Sequence, residues 1–119
     1  MENITKNKIT LHTIIGFIRT AIHKKCFVGG HKSYYYNNDS KEISYYYFTI
    51  NNEDKSIIFE IKGNGEIYIS NYNGEITITS NLSERDILDL ETLVIDIKEY
   101  RENACLNIFN NFFSDVEDK

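Results

Sequence analysis

Proline and tryptophan are absent from this chain of 119 residues, and cysteine occurs only twice, at Cys26 and Cys105. Without proline there is no polyproline spacer, and no Gly/Ser-rich stretch replaces it as a linker. One α+β domain over 1–119 is therefore expected, with frayed ends at 1–9 and 114–119. Two cysteines so far apart do not form the disulfide framework of a small secreted domain, so reduced thiols and a cytoplasmic location are the expectation. Long apolar runs are also missing, and no membrane partner is expected. The segment "LHTIIGFI" behind Lys6 and Lys8 mimics a signal peptide. His12 and Arg19 interrupt it, and no small-residue cleavage site follows.

Catalytic signatures are lacking too. The chain holds no G-x-S-x-G, H-E-x-x-H, P-loop or G-x-G-x-x-G pattern; "GNG" at 63–65 reads as a hairpin turn with no helix behind it. Neither an enzyme nor a cofactor is expected. Basic residues become scarce along the chain. Residues 1–35 carry six Lys or Arg against Glu2 alone, residues 36–119 carry seventeen acids against seven bases, and the formal net charge is -5. An acidic surface repels phosphate backbones, which makes nucleic acid a poor partner.

What the chain does have is pattern. Leu11, Ile14, Ile15, Ile18 and Ile22 follow helical spacing, with Thr10 as N-cap and Gly29-Gly30 as stop, which predicts a helix over about 11–25. From Lys32 the period becomes two. "SYYY" (33–36), "SYYYFTI" (44–50), "SIIFEIK" (56–62), "EIYIS" (66–70) and "EITIT" (75–79) read as four or five strands joined by short Asn- and Gly-rich turns. The unit Asn-Gly-Glu-Ile-x-Ile occurs twice, at Asn64 and Asn73. A calcium-binding β-helix needs more copies and an Asp in each, so the repeat is one strand plus one tight turn, used twice. "SERD" (83–86) opens a second helix, with Ile87, Leu90, Val94, Ile97, Ala104, Ile108 and Phe112 along one face. Unbroken to 113 it would span about 45 Å, so a bend or break is expected near Glu102-Asn103 or Asn110-Asn111. The predicted fold is an N-terminal helix, a four- to five-stranded antiparallel meander sheet and a long C-terminal helix with a bend or break. Ile57, Phe59, Ile61, Ile67, Ile69, Ile76 and Ile78 should face the helices.

Three groups of residues could carry function. His23, Cys26 and His31 have a metal-like spacing but no fourth ligand, and a helix-end His, a buried thiol and a turn His account for them equally well; no metal is expected. Cys105, flanked by Ala104 and Leu106, reads as core or its rim. If Tyr46 and Phe48 point inward, Tyr45, Tyr47, Ile58 and Tyr68 share the opposite sheet face. Such a face suits cross-strand packing, a protein interface, or stacking of single-stranded bases, although the last lacks the cations it needs. Asp86, Asp89, Asp96 and Glu99 lie along an acidic outer surface of the second helix, which could occupy a basic groove. The expected function is a non-catalytic protein-binding inhibitor of another protein, such as a nucleic-acid-binding effector. Its size and charge parallel those of anti-CRISPR and other anti-defence proteins of phages, without a shared motif. A toxin-neutralising immunity protein and a single-stranded nucleic-acid binder are the alternatives. An open edge strand at 33–36 or 75–79, or the aromatic face, could also pair two copies into a homodimer.

Overall fold

The computed structural model describes residues 9–114, so of the expected frayed ends only Ile9 and Ser114 fall within it. Helix α1 (Leu11–His23) is followed by β1 (Phe27–Tyr36), β2 (Glu42–Asn52), β3 (Lys55–Lys62), β4 (Glu66–Asn71), β5 (Gly74–Thr79) and helix α2 (Glu84–Phe112). The strands form one antiparallel sheet in the order β1-β2-β3-β4-β5, a meander whose open edges are β1 and β5. This is the expected α+β layout with five strands.

Alternation sets the two faces. Val28 pairs with Ile50, Gly30 with Phe48, Phe48 with Phe59, and Ile61 with Ile67, so one face collects the apolar side chains. Both helices cover that face. Ile14, Ile15 and Ile18 of α1 and Leu90, Leu93 and Ile97 of α2 meet Tyr46, Phe48, Phe59, Ile61 and Ile67 in one buried cluster. Helix α1 begins at Thr10, which exchanges hydrogen bonds with Thr13; α2 begins at Ser83, whose hydroxyl accepts the Asp86 N–H at 3.1 Å. The two helices run in the same direction, joined by Arg19–Asp96 at 2.9 Å and His12–Asp86 at 3.3 Å.

Five local expectations need correction. Gly29-Gly30 does not stop α1, which ends at His23 with Lys25 in a left-handed turn (φ 62°). Both glycines lie inside β1, which is longer than the expected 33–36. Gly30 is needed there because a Cβ would stand 2.7 Å from Phe48 Cδ1 and 3.0 Å from Ile97 Cδ1, and its absence lets α2 settle on the edge strand. Ile76 is exposed rather than packed, because the helices sit over β1 to β4 and leave the last strand uncovered. Helix α2 continues through Glu102-Asn103 and Asn110-Asn111 without interruption. Its second half does not reach the core: Ala104, Cys105, Ile108 and Phe112 are all exposed, since the helix passes the sheet edge after Tyr100.

Candidate functional site

The second sheet face is the candidate. Among the described residues no helix lies on it; Arg101 curls round the β1 edge, its guanidinium 5.8 Å from the Phe27 ring centre. The register brings the expected residues together. Tyr47 stands between His31 on β1 and Glu60 on β3, and Glu60 pairs in turn with Tyr68 on β4. Tyr45 stands between Ser33 and Lys62, while Ile58 lies between Thr49 and Ser70. Tyr45, Tyr47, Ile58 and Tyr68 thus share one surface, each half-buried by its neighbours in the sheet.

Those rings are held in place. His31 and Tyr47 are in ring contact at 5.3 Å, and Tyr35 and Tyr45 at 6.1 Å. The Lys62 ammonium lies over two rings, 4.9 Å from Tyr68 and 5.5 Å from Tyr35. Glu66 accepts the Tyr68 hydroxyl at 2.6 Å and pairs with Lys62 at 3.6 Å. The Tyr68 hydrogen bond, with help from Lys62, holds the Glu66 carboxyl below the usual carboxylate range, and the same bond raises the Tyr68 phenol. Burial pulls Lys62 down, but its contacts with Tyr68 and Tyr35 outweigh this and leave it above an ordinary lysine. The result is an aromatic surface of mutually packed rings, with the Tyr68 hydroxyl already oriented by Glu66.

Tyr35, Glu60, Lys62 and Glu66 were not singled out from sequence, and His31 was weighed there only as a metal ligand. Extending the alternation of β1 back through His31 would have placed His31 and Tyr35 on this face.

The carboxylates expected on the outer surface of α2 are mostly engaged within the molecule. Asp86 is the N3 residue of the α2 cap, accepts the Ser83 N–H at 2.9 Å, and contacts His12. The Ser83 backbone hydrogen bond holds its carboxyl below the usual range. Asp89 accepts from Arg85 at 3.2 Å and Asp96 from Arg19 at 2.9 Å. Glu99 is exposed and has no ion pair among the described residues. These acids lie in the helix layer, across the sheet from the tyrosines, so the two expected surfaces do not form one patch.

A third cluster lies on the helix-covered side. Lys32, on the edge strand, turns inward and meets Glu91 at 2.6 Å, while the buried Tyr46 hydroxyl donates to the same carboxylate at 3.2 Å. The Lys32 hydrogen bond draws the Glu91 carboxyl down; burial raises Tyr46. An inward-facing charge of this kind blunts an open sheet edge.

His23, Cys26 and His31 are not gathered into a metal-sized group among the described residues. His12, Asp86 and Asp89 do place one ligand atom each within 4.8 Å of one another. These groups are already engaged: Asp86 Oδ2 caps α2, Asp86 Oδ1 meets His12, and Asp89 Oδ1 accepts from Arg85. Cys26 is half-buried and Cys105 exposed. Among the described residues no helix is long and apolar enough to cross a membrane. No protein-family model, curated protein or solved structure matches this chain.

Proposed function

We propose that this protein is a non-catalytic, protein-binding inhibitor that works in the cytoplasm and presents the uncovered tyrosine face of its sheet to its target. The observation carrying this reading is the row Tyr47–Glu60–Tyr68 across three strands, left open by both helices. Tyrosine gives large contact area for few frozen rotors, and rings pinned by ring contacts and Lys62 pay little further ordering cost on binding. Alternation also puts Glu60, Glu66 and Glu75 on this face, with Lys62 and, at the β1 edge, Arg101 as their counterweights. The face is therefore aromatic and net acidic, which fits a basic protein surface better than a phosphate backbone.

A basic surface is what a nucleic-acid-binding effector offers, so the finer proposal is an anti-defence protein of phage or mobile-element origin that masks such a surface. A toxin-neutralising immunity protein would use the same face against a different target. The test is affinity capture from the host cell with wild-type protein and with Tyr47→Ser/Tyr68→Ser. A basic, nucleic-acid-binding protein retained by the first and lost by the second supports the reading. Equal capture by both would contradict it. Filter binding of single-stranded DNA and RNA at low salt, where electrostatics help most, is expected to show no retention.

A further inference from the structure

Helix α2 continues past the surface it packs on. Its buried residues end at Ile97, and Tyr100 makes the last anchor, donating its hydroxyl to the Cys26 carbonyl at 3.0 Å. From Arg101 to Ser114 every residue is exposed, and the molecule measures 64 × 37 × 27 Å. This overhang is not a polar helix. Leu106, Ile108, Phe109, Phe112 and Phe113 are 54% to 71% exposed. At helical spacing they share one half of the surface with Cys105, while Asn103, Asn107, Asn110 and Asn111 take the other. Three apolar turns without a packing partner are marginal in water.

We propose that the occupant is a second copy of this chain, paired through an antiparallel contact of the two 103–114 overhangs with the two-fold axis near Ile108 and Phe109. Area is the first reason. Five such side chains present on the order of 600 Å², so two copies can bury up to about 1,200 Å², the lower limit of stable specific interfaces.

Charge is the second. Residues 103–114 contain no Asp, Glu, Lys or Arg, the longest such run in a chain of net charge -5. Two copies can meet there without like-charge repulsion, whereas a charged partner would find nothing to pair with.

Sedimentation equilibrium of the full chain tests this. The expected mass is about 28 kDa for wild type, twice the 14.0 kDa chain. Ile108→Glu and Phe112→Glu should sediment as monomers, with association weakened about 100-fold or more. Their circular dichroism should keep the sheet signal, because neither side chain touches the core. In a Cys26→Ser/Cys105→Ser background, Ile108→Cys should form an intermolecular disulfide under mild oxidation, and Asn110→Cys should not. A monomeric wild type, a dimer that survives Ile108→Glu, or equal cross-linking from both cysteine positions would each overturn the proposal.

Discussion

At Gly30 a side chain of α2 packs over bare backbone of the sheet, and replacing the glycine should expose how tightly that contact is set. A methyl group at this position stands 2.7 Å from Phe48 Cδ1 and 3.0 Å from Ile97 Cδ1. Carbon contacts are comfortable at about 3.5–4.0 Å, so the ring or the helix must withdraw. Overpacking of this kind costs about 1–3 kcal/mol. Alanine returns roughly 0.5–1 kcal/mol by restricting the unfolded chain. Gly30→Ala is therefore expected to destabilise by about 1–2 kcal/mol net. Ile97→Val removes one of the three crowding atoms, the other two being Phe48 Cδ1 and Cε1, and alone costs about 0.5–1.5 kcal/mol, since Ile97 is fully buried. In the double variant the Ile97 clash is gone and the Phe48 clash remains. The double should thus fall short of the sum of the singles by about 0.5–1 kcal/mol. Urea denaturation followed by circular dichroism measures all three, provided the slope m is unchanged. A Gly30→Ala protein as stable as wild type would refute the reasoning, and so would strict additivity.

Acid should weaken the fold in a defined window. Glu91 is held down by Lys32, Glu66 by Tyr68, and Asp86 by the Ser83 backbone. A carboxyl lowered in the fold lets the unfolded chain take up its proton first. Its stabilisation is therefore complete above the ordinary values of 4.5 for Glu and 3.8 for Asp, and is lost as pH falls through the lower folded values. Urea midpoints should fall with pH below that range, and less steeply in Glu91→Gln. Ser83→Ala should cost about 1 kcal/mol in thermal or urea denaturation by removing the Asp86 N–H acceptor. Thr10→Ala should cost less, because Thr10 accepts the Thr13 N–H only at 3.4 Å.

Much of this architecture was legible because period reports local geometry. The alternation of Ile57, Phe59 and Ile61, the spacing of Leu11 through Ile22, and the Ser83 cap each have one structural solution. The shared face of Tyr45, Tyr47, Ile58 and Tyr68 followed from the same alternation. Features set by distant contacts were not legible. Gly29-Gly30 looks like a helix stop, yet the role of Gly30 is to admit Ile97 from 67 positions away. The spacing of Ala104, Ile108 and Phe112 continues that of Leu90 and Ile97, but period marks an apolar face without saying what covers it. The acids of α2 form a charged run in sequence, while Arg19, Arg85 and His12 engage three of them in space. Ile76 alternates correctly and stays exposed because the helices do not extend that far.

The central claim is that the tyrosine face meets a protein target. Site-specific photo-cross-linking in the host cell tests it most directly, with a photoreactive phenylalanine analogue replacing Tyr47 in one protein and the exposed Tyr34, which lies on the helix-covered side of the sheet, in another. Predicted is one discrete adduct with a basic protein from position 47 and none from position 34. An adduct from position 34 alone, or no protein adduct from position 47, would contradict it.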